Sequence, residues 1–215
     1  MMVDKLALFP LNTVLFPGAP LTLHIFEERY RLMIGHCLEH GHPFGVVFIQ
    51  DDNELSLPIL PYSFGTVAQI NANVRLEDGR FLIATIGQQR FHIQHMLQYD
   101  PYIIALVHLL PEEDDTGMDP ETRRLRAIYE RYWKAVAAAT GTASQAEQLP
   151  DSPVATTYYL AHRMQVTNER KQHWLETNSR TRIREIASML LSEMHLLPRP
   201  GEGESGGMLW PWSWN

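Results

Sequence analysis

The feature that most constrains this chain is a change in the period of its apolar residues. Up to about residue 110 they come in short runs of strand length, and beyond the acidic stretch Glu112-Glu113-Asp114-Asp115 they recur at three-and-four spacing. A pattern of period two cannot bury its apolar side on a helix, nor a 3.6 pattern on a strand, so the two parts fold differently. In the first part Lys5–Phe9, Leu21–Ile25, Phe44–Ile49, Thr66–Leu76, Arg80–Ile86, Phe91–Leu97 and Tyr102–Leu110 read as strands. Asp78-Gly79 marks a hairpin turn between two of them. Strands in this number, unevenly connected, predict a small barrel or folded-over sheet. One helix interrupts them at Glu27–His40, with Tyr30, Met33, Ile34, Cys37 and Leu38 on its buried side and Gly41 as its stop.

The second part predicts a helical bundle. A helix opens at Asp119-Pro120 and carries Leu125, Ile128, Tyr129, Tyr132, Trp133, Val136 and Ala137 to Gly141. Others are expected at Val154–Gln165 after Ser152-Pro153, at Asn168–Thr177 after Thr167, and around Ile183–Met194. The expected division is a barrel over 1–115, a bundle over 116–198, and a Gly/Pro linker with a Trp-rich tail over 199–215. Trp210, Trp212 and Trp214 alternate in that tail, so an extended strand would turn all three to one side and offer a docking peptide for a partner or a second copy.

Charge and composition remove several classes of function. The chain carries a net charge of −7, divided as −8 over residues 1–115 and +1 over the remainder, which argues against nonspecific binding to nucleic acid or anionic membrane. No apolar run reaches the roughly 18 residues of a membrane span, and Asp4, Pro10, Asn12 and Pro17 break up any signal peptide, so a cytoplasmic location is expected. Cys37 is the single cysteine, which excludes an internal disulfide and a four-cysteine zinc site. None of the three lysines follows a glycine, so the phosphate-cradling loop of the common ATPases is missing.

Three local patterns invite chemistry. Gly203-Glu204-Ser205-Gly206-Gly207 matches the nucleophile elbow of hydrolases, but no strand precedes it and a linker is the expected role. His36-Cys37-Leu38-Glu39-His40 matches an inverted zinc-hydrolase pattern, in which two imidazoles one turn apart hold the ion and the carboxylate acts as base. Its competing reading is the wet side of an amphipathic helix with Cys37 turned inward; His42 lies nearby. Arg123, Arg124, Arg126, Arg131 and Lys134 form a basic run that suits RNA or, more ordinarily, a solvated helix side. No catalytic residue, metal ligand or cofactor site is assigned from these.

Several ordered motifs carry a resemblance. Leu8-Phe9-Pro10-Leu11, Val14-Leu15-Phe16-Pro17-Gly18, Ile25-Phe26-Glu27-x-Arg29-Tyr30, Phe44-Gly45-Val46-Val47, Gly65-Thr66-Val67-Ala68, Asp78-Gly79-Arg80, Gly87-x-x-Arg90-Phe91, Pro101-Tyr102 and Lys171-Gln172-x-x-Leu175-Glu176 follow one another as in the Lon protease N-terminal (substrate-binding) domain family. The resemblance covers about residues 5–195, with Trp174 where a Leu is usual. It implies an α+β fold: a PUA-like β pseudobarrel with one inserted helix, followed by an α-helical bundle. It also implies a stand-alone form, without ATPase or peptidase domains, that binds protein clients.

The motif residues also have physical readings. Pro10 and Pro17 suit strand ends, and Gly18, Gly65 and Gly87 suit turns or close backbone approaches. Phe26 is expected to staple onto Tyr30, and Arg90 to pair with an acid such as Glu27. The expected function is a non-enzymatic module binding exposed apolar segments of unfolded or degron-bearing proteins. Phe16, Phe26, Tyr30, Tyr129 and Trp133 are the candidate contacts, with core packing as their competing role. The alternatives are a metal-dependent hydrolase using His36, Glu39 and His40, and a PUA-like RNA-binding module.

Overall fold

The computed structural model describes residues 3–49, 62–111, 118–141 and 146–197. Among them, six strands and a helix make up the first part: β1 (Val3–Leu11), β2 (Pro20–Ile25), α1 (Glu28–His40), β3 (Phe44–Phe48), β4 (Phe64–Arg75), β5 (Phe81–Gln98) and β6 (Ile103–Leu109). They pair in the order β2-β5-β4-β3-β1-β6, and a further β5–β6 pairing closes the ring. Only β1–β3 is parallel, because β2 and α1 intervene as the crossover. The α+β pseudobarrel expected from the sequence is present. One difference concerns β5, which runs unbroken through Gly87 where two strands are expected. Its first half carries β2 and its second half β6, so a single long strand bridges two neighbours. Register shifts at Thr66/Ala68, Ile70/Ala72, Ile93/His95 and Met96/Gln98 bend the strands enough to close the barrel.

Leu6, Leu8, Val47, Val67, Phe91, Ile103, Ala105 and Val107 fill the barrel. Phe9 alternates with Leu8 and so points outward, where its ring stacks on Tyr30 of α1 at 4.2 Å. Tyr30, Met33, Ile34 and Cys37 bury the inner side of α1, as the 3-1-3 spacing requires. Gly41, at φ 66°, ends the helix in the left-handed region that favours glycine. Close approach explains two other glycines: a Cβ on Gly87 would lie 2.2 Å from Phe16 O, and one on Gly65 2.5 Å from Val46 O.

The second part contains α2 (Asp119–Thr140), α3 (Pro153–Arg163), α4 (Asn168–Glu176) and α5 (Ser179–Leu196). The expected Asp119 cap is displaced by one residue: Met118 is the N-cap, and Asp119-Pro120 already belongs to the first turn. Ser152 Oγ accepts from Ala155 N (3.2 Å) and Asn178 Oδ1 from Thr181 N (2.9 Å), capping α3 and α5. The chain divides into two compact units, and the division differs from the one expected. The first unit comprises residues 1–112 together with 166–176, so α4 belongs to the strands. Arg90 Nη1 donates to Leu175 O (2.8 Å), Gln172 Nε2 to Phe64 O (3.2 Å) and Asn168 Nδ2 to Asn12 O (2.9 Å), which holds the helix there. The second unit is α2, α3 and α5. At its centre lies the fully buried Arg182, which donates to Thr157 Oγ1 and Thr177 O, both at 2.8 Å, and covers the Tyr158 ring.

Candidate functional site

The five contact residues expected from the sequence are placed unequally. Phe16, Tyr30, Tyr129 and Trp133 are all under a tenth exposed, and Tyr30 rests on Phe9. They serve as core, because a client could reach them only by opening the packing. Phe26 alone is exposed, at 61%, so it does not staple onto Tyr30 and instead tilts toward His24 at 5.9 Å. Arg90 likewise differs from expectation: it donates to Leu175 O, while Glu27 pairs with Arg29 at 2.8 Å.

The His36–His40 helix end is built as the wet side of α1. The two rings stack at 4.3 Å, His42 approaches His40 at 5.7 Å, and His40 Nδ1 lies 3.0 Å from the His36 carbonyl. Cys37 faces inward with its thiol toward Pro43 O, and burial pushes its pKa up to about 11. Among the described residues no group of His, Cys, Asp or Glu is arranged to hold a metal ion. The hydrolase reading therefore finds no assembled centre there. In the basic run, Arg126 donates to Pro150 O, Asp151 O and Thr156 Oγ1, while Arg123, Arg124, Arg131 and Lys134 are exposed. The elbow-like Gly203–Gly207 and the tryptophans of the tail lie outside the described residues.

What the first unit does present is a two-lobed depression beside α1. One lobe, of about 440 Å³, is mostly apolar: Leu6, Ala7, Cys37, Val67, Ile104 and Val107 line it. The other, of about 600 Å³, lies open between α1 and the β4–β5 hairpin. Glu28, Arg31, Leu32 and Glu39 line it from the helix, Arg75 and Phe81 from the hairpin. His36 and Tyr102 border both lobes, so the two are neighbours. The helix contributors recur at i, i+3/i+4 and i+7/i+8, the solvent side opposite the buried stripe. Leu32, at 54% exposed, is an apolar residue on that side with no core to enter.

The hairpin shapes the open lobe. Gly79 takes φ +81° at its tip and lies so close to Arg31 that a Cβ would meet Nη2 at 2.6 Å. Asp78 is already engaged by Arg80, through the backbone N–H at 3.1 Å and the guanidinium at 2.6 Å. These bonds, with a smaller contribution from Arg31, hold its carboxyl below the usual range. Arg75 lies over the Phe81 ring at 5.6 Å.

Residues 5–192 match the family described as the ATP-dependent protease La (LON) substrate-binding domain. The chain belongs to that family, which is the substrate-binding part of Lon and not its protease or ATPase part. The Lon protease of Methylocella silvestris is 26% identical over 211 residues, covering 90% of this chain and 25% of the relative. That of Flavobacterium johnsoniae is 29% identical over 119 residues, 54% of this chain and 15% of the relative. The chain thus spans a quarter or less of the length of these relatives. The crystal structure of a Lon N-terminal domain protein from Xanthomonas campestris superposes with TM-score 0.67 at 24% identity, covering 86% of this chain and 98% of that one. The N-terminal domain of the Mycobacterium avium complex Lon protease gives 0.61 at 16%, covering 87% and 98%. No helix among the described residues is long and apolar enough to cross a membrane.

Proposed function

We propose that this chain is a non-enzymatic, ATP-independent binding module, PUA-like in its barrel and cytoplasmic in location, which recognises exposed apolar segments of unfolded or degron-bearing protein clients in the depression beside α1. The observation that carries the reading is the mostly apolar lobe of about 440 Å³, neighbour to the open lobe that the exposed Leu32 lines. That volume is in the range of sites that enclose an organic ligand, about 300–1,000 Å³, and holds one or two large apolar side chains. Apolar burial supplies most of the affinity for such segments, and a preformed lobe lowers the ordering cost of binding. The family's substrate-binding description supports the same class of partner.

The test is fluorescence anisotropy with apolar peptides and with a chemically unfolded client. Leu32→Asp, and Ala7→Leu to fill the apolar lobe, are each expected to weaken binding about tenfold. Leu196→Asp, at an 81% exposed position of the second unit, is expected to leave it unchanged. Equal binding by all four proteins removes the depression from the reading. Self-association through Trp210, Trp212 and Trp214 is part of the same proposal, and sedimentation of the full chain beside one lacking residues 201–215 tests it.

A further inference from the structure

The open lobe carries a charge pattern that apolar recognition does not use. Arg31 and Arg75 both line it, and among the described residues neither forms an ion pair. Asp78, which Arg31 attracts, is held by Arg80, and Arg75 has only the Phe81 ring. Two guanidiniums facing an open lobe with their donor forks unspent form a ready site for a carboxylate. Gly79 keeps this arrangement possible, since any side chain there would displace the Arg31 guanidinium. Glu28 stands one turn before Arg31 on the helix and Glu39 two turns after it, both lining the same lobe and neither ion-paired among the described residues. They surround the cationic centre with negative charge at both ends, so a segment with a single carboxylate fits and a polyacidic one is repelled. The mostly apolar lobe adjoins this one at His36 and Tyr102, which line both. Arg31 and His36 are five residues apart on α1, about 7–8 Å of helix, which an extended chain covers in two to three residues.

We propose that the depression reads a composite signal: a carboxylate seated between Arg31 and Arg75, with a large apolar side chain two to three residues away in the lobe lined by Ala7, Cys37 and Ile104. The carboxylate is either the free C-terminus of a client or an Asp or Glu side chain, and the chemistry seen by the two arginines is the same. This inference rests on the apolar-segment reading above and narrows it to a class of sequence.

The probes are fluorescein-labelled ten-residue peptides of Gly and Ser, titrated against the full chain. One carries Leu at the third position from a free C-terminus. A second is the same peptide amidated. A third is amidated with an internal Asp two residues after the Leu, and a fourth has three consecutive Asp residues there. The free acid, the single-Asp peptide, or both are expected to bind about tenfold more tightly than the neutral amide, and the triple-Asp peptide more weakly than the single-Asp one. Whichever of the free acid and the single-Asp peptide binds tightly identifies the source of the carboxylate. Arg31→Gln with Arg75→Gln is expected to abolish the preference, so that both acids bind this variant no more tightly than the neutral amide does; Arg123→Gln with Arg124→Gln, on the second unit, is expected to preserve it. If the neutral amide binds as well as both acids, or the preference survives loss of Arg31 and Arg75, the composite signal is wrong and apolar recognition stands. Binding by none of the peptides, and by none of the apolar peptides of the previous test, overturns both.

Discussion

Gly87 shows how tightly the backbone is packed around the barrel. Gly18 N donates to Gly87 O and Gly87 N to Ala19 O, clamping β5 to the segment that follows Phe16. A methyl group at Gly87 has no room against Phe16 O, and the obstacle is backbone, which cannot rotate away. Gly87→Ala is expected to lower stability by about 2 kcal/mol or more, measured as a drop in the urea midpoint. The sequence left this position as either a turn or a close approach, and the contact with Phe16 makes it the second. Cys37 gives a second residue-scale expectation. Its raised pKa, about 11, leaves roughly one thiol in ten thousand ionised at pH 7. Native protein should therefore react with a disulfide reagent orders of magnitude more slowly than protein in denaturant, and rapid native labelling contradicts the burial. Arg90 marks the limit of such reading. The sequence marked it as a structural residue to be paired with an acid, but its acceptor, Leu175 O, is 85 residues away on α4, and no local pattern encodes a carbonyl as partner.

Helix periods were read well, and strand limits less well, because they depend on pairing partners distant in the chain. The buried sides of α1, α2 and α5 follow their apolar spacing, whereas β5 looked like two strands since Gly87 and Arg90 resemble a break. The caps of α3 and α5 make direct predictions: Ser152→Ala and Asn178→Ala should each cost about 1 kcal/mol, with the helical signal at low temperature unchanged. The stretch before α3 adds a pH dependence. Glu147 accepts from Tyr159 Oη and from Arg163 Nη2 (2.7 Å), and these bonds hold its carboxyl below the usual value of 4.5. Its contribution is therefore complete above about pH 4.5 and is lost as pH falls through the lowered value. The carboxyl is half exposed, so the contribution stays under about 1 kcal/mol. Glu147→Gln should be less stable than the parent at pH 7, and the gap should close in acid, as followed by thermal melts from pH 7 to pH 3. The depression was only half legible: the polar side of α1 follows from spacing, but Arg75, Phe81 and Tyr102 reach it through strand register.

At the scale of the whole molecule, the switch of apolar period marked the change from strands to helices, and ordered motifs carried the family. What they hid was the allegiance of α4. Its apolar positions, Trp174 and Leu175, look like those of any bundle helix, and only the bonds to Asn12, Phe64 and Arg90 assign it to the strands. Hydrogen exchange in mild denaturant checks the assignment: amides of Asn168–Glu176 should lose protection together with those of β4, and on a different profile from α2 and α5. The same assignment bears on how such a chain can be dissected. Because the polypeptide leaves the first unit near residue 112, returns for 166–176 and leaves again, neither unit is one uninterrupted stretch. A gene truncated after the strands would encode a barrel stripped of the helix that accepts from Arg90, and a gene beginning at the helices would carry that helix as an orphan. Recombination can exchange this architecture only whole.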